Sequence, residues 1–328
     1  MPKVSVIIPI YGVEKYIERC ARSLFEQTLD DIEYIFINDC TQDRSIDVLT
    51  SVIPEYPSRE KQILIITMDK NSGQALVRRR GIEIASGDYI IHCDSDDYIH
   101  PEMYRIMYEK AVREGHDIVA CDVQEISRWP KILPGNTLES KDFLNHIFLN
   151  ESGFLCNKLV RSSVVHSPSI IYPECNFIED LVLTSQYAIL SHSVGYISEP
   201  LYFYVRRDTS ITGNHSDEAI LDKFHQGVKN LSIILNIIQS KGLIEYYFDA
   251  IVWTKLSHRN SLLRIMPKYE STNLWRNTFK EIDKYVLKSK VITKQEKRNF
   301  IMTKLGLYPT YIRLKGSLHR WKQFILGQ

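Results

Sequence analysis

Closely spaced carboxylates carry the first chemical signal in this sequence. Asp94, Asp96 and Asp97 fall within four positions, directly after the apolar run Tyr89–Cys93. Acids this close repel one another unless a cation sits among them. One or two carboxylates are also the usual protein share of a divalent ion that binds phosphate. A second pair, Glu179-Asp180, opens the apolar stretch Leu181–Leu190. A carboxylate placed there can take a proton from a reacting hydroxyl. Arg78, Arg79 and Arg80 supply cations; on a helix they point about 100° apart, so at most one or two face a common ligand. Each group has a plainer alternative. The aspartates suit a solvated turn before a helix at Pro101, and two acids suit the positive end of any helix dipole.

The elements that must position these groups alternate in type. Lys3–Pro9 reads as a buried, β-branched strand, followed by a helix carrying Val13, Tyr16, Ile17, Cys20 and Leu24 at helical spacing. Ile32–Asn38 is a second strand, 43–52 a helix, Gln62–Met68 a third strand, and a helix runs from Gly73 to about Ala85. The strand Tyr89–Cys93 then delivers the aspartates. Strand–helix alternation predicts a parallel sheet with right-handed crossovers. Polar residues stand at every strand end: Tyr11, Asp39, Asp69 and Asp94 with Asp96. In such sheets ligands bind at the carboxyl edge.

Further along, Pro101–Glu114 predicts a helix and Asp117–Asp122 a strand, with a loop from Glu125 to Glu139 and a helix capped by Ser140. Tyr196–Arg207 reads as a strand. Beyond His215 helical periodicity dominates, with helices expected over 220–238, 244–266 and 272–288. The boundary falls near residue 214.

The 328 residues carry a net charge of +1 and 44% hydrophobic residues, which gives no nucleic-acid signature. Six scattered cysteines lack CxxC spacing and suit a reduced, cytoplasmic setting. No run approaches the ~20 apolar residues of a membrane span. No GxGxxG or GxxxxGK[ST] occurs, so dinucleotide and P-loop readings lose their support. Residues 297–328 hold seven Lys or Arg and no acid, with Tyr308, Tyr311, Trp321 and Phe324. Such a tail suits peripheral contact with the inner face of an anionic membrane; the alternative is a helix packed back on the protein.

The order of motifs resembles the family 2 glycosyltransferases of the GT-A fold, from Val4 to about Gly213. It is carried by Ser5–Tyr11, Phe36–Ser45 with Asp39, Asn71–Gly81, Ala85–Asp97, Asn157-Lys158, Glu179-Asp180, Tyr204–Arg206 and Ser210–Thr212. The resemblance implies a Rossmann-like, mostly parallel sheet with flanking helices over 1–214, and a helical region over 215–328. Within the first part, 1–123 is the nucleotide-sugar half and 124–214 the acceptor half. It implies an inverting transfer of a hexosyl or N-acetylhexosaminyl group from a nucleotide-sugar, expected to be a UDP-sugar, to a glycan or lipid-linked glycan hydroxyl. Pro9, Tyr11, Glu14 and Asp39 match positions around the nucleoside, and Asp69 and Arg78 further nucleotide contacts. Asp94 and Asp96, with Ser95 between them, match the Asp-x-Asp that holds Mn²⁺ or Mg²⁺ on the diphosphate. Asp180 matches the catalytic base. Arg206 and Ser210 match a late loop near the donor phosphates.

Four positions depart from the family pattern: Gly12 and Cys40, where asparagine and glycine are usual, and Val77 with Arg79, in place of alanine and asparagine. A side chain at Cys40 predicts a backbone conformation that ordinary residues adopt. Two other classes compete: a nucleotidyltransferase, and a binding protein that keeps the fold without catalysis. The first wants a glycine-rich, lysine-bearing loop after the first strand, which Tyr11–Lys15 lacks; the intact Asp94, Asp96 and Asp180 speak against the second.

Overall fold

A computed structural model describes residues 1–125, 137–150, 152–206, 215–266 and 269–315. The chain begins β1 (Val4–Ile10), α1 (Ile17–Phe25), β2 (Ile32–Asn38), α2 (Ser45–Val52), β3 (Ile63–Thr67), α3 (Gln74–Ile84) and β4 (Tyr89–His92). Next come β5 (Tyr98–Ile99), α4 (Met103–Glu114), β6 (Ile118–Glu125), β7 (Thr137–Glu139) and α5 (Ser140–Leu149). β8 (Lys158–Arg161), α6 (Ser162–Val165), α7 (Glu179–Leu190) and β9 (Ser193–Tyr204) complete the sheet region.

The strands form one sheet in the order β3-β2-β1-β4-β8-β6-β9-β5, with β7 beside β9. β3, β2, β1 and β4 run parallel, as the strand–helix alternation predicts. From β1 the chain moves outward through β2 and β3 and returns to β4 on the other side. The point where strand order reverses therefore lies between β1 and β4, the place where open α/β sheets generally bind ligands. β8 pairs antiparallel with both β4 and β6, so a late segment fills the middle of the sheet. The short Lys158–Arg161 run gave no strand signal of its own. Thr137–Glu139 is a strand rather than loop, because it finds β9 as a partner.

Both faces of β1, β2 and β4 are covered, which explains their unbroken apolar runs. Val4, Val6, Ile8 and Ile10 pack with Ile17, Leu24, Met103 and Met107 in one core. On the other face α3 lies so close to β1 that a Cβ at Gly81 would stand 2.3 Å from Ile7 Cγ2. That contact sets the depth of the helix carrying Arg78.

The chain divides into two units, Met1–Gly213 with Lys229–Ile237, and Asn214–Val228 with Ile238–Gln328. α8 (Asp217–Ser240) thus gives its middle to the first unit. The second unit contains α9 (Phe248–Asn260), α10 (Tyr269–Asn277), α11 (Asp283–Val286) and α12 (Lys294–Lys304). Its core joins Phe224, Leu256, Trp275, Val286 and Phe300. The single helix expected over 272–288 is two short ones, because Phe279 takes φ +52 between them. Ser140 does not cap α5; its hydroxyl donates instead to the Ser191 carbonyl at 2.7 Å.

Candidate active site

The carboxyl ends of β1 and β2 are laced together by side chains. Asp43 accepts from Thr41 Oγ1 (2.7 Å), Ser45 Oγ (2.6 Å) and the Glu14 amide (2.9 Å). Burial works against its charge, but these donors hold its carboxyl below the usual range. Glu14 answers by accepting from the Arg44 amide at 3.0 Å, just before α2. Tyr11 stands 52% exposed over this lacework. Asp39 is buried and accepts from the amides of Ser72 (2.6 Å) and Gly73 (2.9 Å). Its carboxylate therefore folds the loop after β3 over the end of β2. Asp69 is exposed in that loop.

Cys40 departs from its expectation. Its φ is +55, in the left-handed region that a side chain disfavours. Its thiol donates to the Met68 carbonyl at 2.8 Å, a contact glycine could not make. The backbone keeps the glycine conformation, and the cysteine tolerates it.

β4 ends in the aspartate cluster, and each residue of the cluster has a different setting. Ser95 is buried and donates to the Pro9 carbonyl at 2.6 Å, tying β4's end to β1's. Asp96 is half-buried. Asp97 is fully buried, accepting from Tyr202 Oη (2.6 Å) and the Val205 amide (2.7 Å). Burial, with Asp94 and Asp96 nearby, pushes its carboxyl up to about 8. It is neither helix cap nor solvated turn; it moors β9 beneath the site. The same Tyr202 hydroxyl accepts from the Asp94 amide at 3.1 Å.

Arg78 is the centre of the arrangement. It is 3% exposed, with Nη2 2.8 Å from Asp94 Oδ1 and Nε 3.4 Å from Glu179 Oε1. Burial works against its charge, yet Asp94, Glu179 and Asp180 outweigh that and raise its pKa. Arg79 and Arg80 are exposed, so one arginine of the three points inward. Arg78 Nη1 is buried with no hydrogen-bond partner among the described residues. A buried donor left unmatched is costly, and an anionic ligand oxygen is the kind of acceptor that would satisfy it.

Glu179 and Asp180 open α7 beside this guanidinium. Burial and the Asp180 charge push Glu179 up to about 8, against the pull of Arg78. Asp180 is half-buried and accepts from its neighbour's amide, Leu181 N, at 2.7 Å. Burial raises its pKa while Arg78 and that amide oppose the rise. A carboxylate of raised pKa is a better proton acceptor than a solvated one.

Two buried groups lie in motifs named from the sequence but were given no role there. Lys158 donates to the carbonyls of Ser152 (2.9 Å) and Phe154 (2.6 Å) and to Asn157 Oδ1 (2.8 Å). Burial lowers it to about 8, and it is felt by Asp180. His92, at the end of β4, is buried with neither ring nitrogen partnered among the described residues. Burial and Arg78 hold its pKa well below the usual value, so it is neutral. Arg206 is exposed, following the Val205 amide bound by Asp97. Ser210 and the tail from 316 onward, with Trp321 and Phe324, lie outside the described residues.

No group of three or more His, Cys, Asp or Glu able to hold a metal occurs among the described residues. Two carboxylates, Asp94 and Asp96, suit an ion that takes its remaining oxygens from a diphosphate and water. The donor set fits that use.

Comparison with known proteins bears on the fold and on the first half of the chain. Residues 5–151 match the family model "Glycosyl transferase family 2". EpsH of Bacillus subtilis (strain 168), named as a glycosyltransferase, is 29% identical over 257 residues, 75% of this chain and 72% of EpsH. The poly(ribitol-phosphate) beta-glucosyltransferase of Bacillus spizizenii is 28% identical over 252 residues, covering 74% of this chain and 38% of that protein. The crystal structure of S. aureus TarS 1-349 in complex with UDP superposes with TM-score 0.72 at 16% identity, covering 99% of this chain and 92% of that one. Residues 5–151 thus match the family 2 glycosyltransferases, and the fold is the GT-A fold of the TarS structure.

Proposed function

We propose that this glycosyltransferase moves a hexosyl or N-acetylhexosaminyl group from a UDP-sugar to a glycan or lipid-linked glycan hydroxyl, with inversion at the anomeric carbon. One observation carries the reading: buried Arg78 joins Asp94, at the end of β4, to Glu179, the residue before Asp180 at the start of α7. A leaving-group site and a proton acceptor thereby share one polar centre. Likeness to a UDP-bound structure supports the nucleotide, and likeness to a poly(ribitol-phosphate) glucosyltransferase supports a surface-polymer acceptor.

In this reading Tyr11, Glu14, Asp39 and Asp69 border the nucleoside, with Pro9 and Ser95 shaping the floor between β1 and β4. Asp94 and Asp96 hold Mn²⁺ or Mg²⁺, which supplies Lewis-acid neutralisation of the diphosphate charge. Arg78 and Arg206 add positive charge on the phosphate side, and Ser210 is assigned there by its motif alone. Asp180 accepts the acceptor O–H proton as that oxygen bonds to the anomeric carbon. The carbon–oxygen bond to the diphosphate breaks, and its electron pair leaves with the phosphate oxygen. Attack opposite to the leaving group inverts the centre. Proton acceptance by a positioned carboxylate is worth about 10²–10⁴-fold.

The second unit supports a site of action at the inner face of a membrane. No described helix is long and apolar enough to cross one. Leu305, Leu307 and Leu314 are nonetheless 64%, 49% and 60% exposed, among Lys297, Arg298, Lys304, Arg313 and Lys315 with no acid from 297 to 315.

Calorimetric titration with UDP and with GDP, with and without Mn²⁺, tests the donor assignment. UDP binding that strengthens with Mn²⁺ in the wild type and not in Asp96→Asn is expected. Asp180→Asn keeps that binding and loses transfer or donor hydrolysis. Metal-independent binding, or full turnover by Asp180→Asn, contradicts the respective assignment.

A further inference from the structure

A side chain far outside the matched segment reaches the candidate site. Asn230, on α8, is 1% exposed, and its amide donates to the carbonyls of Cys175 (3.1 Å) and Phe177 (2.7 Å). Those two carbonyls flank Asn176, whose Oδ1 accepts from the Ala75 amide at the start of α3 (3.0 Å). The next residue, Ile178, holds φ +58 and ψ 28. A β-branched residue in the left-handed region is a true outlier. Such strain persists only where the surroundings over-determine it, and it concentrates at functional sites. α7 begins at the following residue with no side-chain cap of its own. The turn 175–178 therefore sets the direction in which Asp180 leaves the backbone, and Asn230 grips that turn at two points.

We propose that Asn230 is a positioning residue for sugar transfer: it holds the turn 175–178 in the strained form that aims Asp180. The middle of α8, which belongs to the first unit, is thereby part of the catalytic machinery although the family match stops at residue 151. Asn176 ties the same turn to α3 and so to Arg78, whereas Asn230 holds it from α8, later in the sequence. This inference rests on the reading of Asp180 as the base.

The test measures UDP release with Mn²⁺ and water as acceptor, using whichever UDP-sugar the wild type hydrolyses fastest, alongside UDP affinity by calorimetry. Asn230→Asp preserves shape but turns an oxygen towards two carbonyls; Asn230→Ala removes the grip; Asn230→Ser is a smaller lesion that keeps one donor. Misplacing a reacting group by about 1 Å costs on the order of 10²-fold, so a loss of at least about tenfold in kcat is expected for the Asp and Ala variants. Asn230→Ser should fall between these and the wild type. UDP affinity should stay within about twofold, and melting should stay cooperative, because the donor contacts lie elsewhere. A merely structural role would lower kcat and UDP affinity together, and that pattern overturns the proposal. So does a cooperatively melting Asn230→Ala or Asn230→Ser with wild-type kcat. Asp180→Asn is run in parallel. If it is inactive while the Asn230 variants are unimpaired, only this inference fails; if it turns over like the wild type, the base assignment itself fails.

Discussion

Arg78 and Asp94 form a salt bridge of 2.8 Å in which the guanidinium is all but sealed from solvent. The same cation meets Glu179, so it lies between two acids that the chain brings together from opposite halves of the catalytic region. Removing it as Arg78→Ala leaves buried negative charge uncompensated. Breaking a buried pair in this way costs about 3–5 kcal/mol, and because Glu179 can protonate near 8 the lower end is expected. Urea denaturation near neutral pH measures it. A loss under about 1 kcal/mol would mean that the acids find another partner. Arg78→Lys keeps the charge but cannot reach both carboxylates in the same fork, so it should recover only part of the loss.

Cys40 and Gly73 make opposite predictions about backbone strain. Cys40 sits at φ +55, where a side chain costs roughly 1 kcal/mol. Cys40→Gly should therefore stabilise the fold by up to about 1 kcal/mol, less the lost thiol contact and the entropy of the added freedom. Gly73 has φ +82, and a Cβ there would lie 2.3 Å from Asn176 Nδ2. Gly73→Ala should destabilise by more than about 1 kcal/mol and disturb the turn before Asp180. Thermal melting of the two variants gives the comparison, and shifts of the same sign would contradict it.

Lys158 should leave a mark on the pH dependence of stability. Burial lowers it from 10.5 to about 8 in the folded chain. Between those values the unfolded chain holds a proton that the folded chain has released. The unfolded state then binds more protons, so stability rises with pH through that window. Below about 8 both states are protonated and this lysine contributes no slope. The gap is worth roughly 3 kcal/mol across the window. Wild type should gain on Lys158→Met between about pH 7.5 and about pH 10 in urea denaturation. Parallel curves would show that the lysine keeps its proton when buried.

The exposed leucines among the basic residues of the second unit predict attraction to anionic lipid. Full-length protein should sediment with vesicles containing phosphatidylglycerol and much less with phosphatidylcholine alone. Added salt should weaken the attraction. Leu305→Glu with Leu314→Glu should abolish sedimentation while leaving UDP affinity unchanged. Sedimentation that ignores both lipid charge and these substitutions would remove the membrane from the picture.

The strand–helix alternation, the apolar strand runs and the order of motifs were enough to read the parallel strands β1 to β4 and the carboxyl edge where Asp39 and Asp94 stand. These follow from local periodicity and from acids placed at strand ends. Asp180 was readable from its place in a motif, but its environment was not. The pairing of β8 between β4 and β6 depends on contacts between segments far apart in sequence. The same is true of Arg78 meeting both Asp94 and Glu179, and of Asn230 reaching the turn at Ile178. Cys40 taught the opposite lesson: its side chain suggested an ordinary backbone, and tertiary packing imposed φ +55 regardless. Residue types and spacing thus determined which groups can do chemistry. Only the folded chain decided which of them share a buried volume, because burial and charge pairing depend on distance in space.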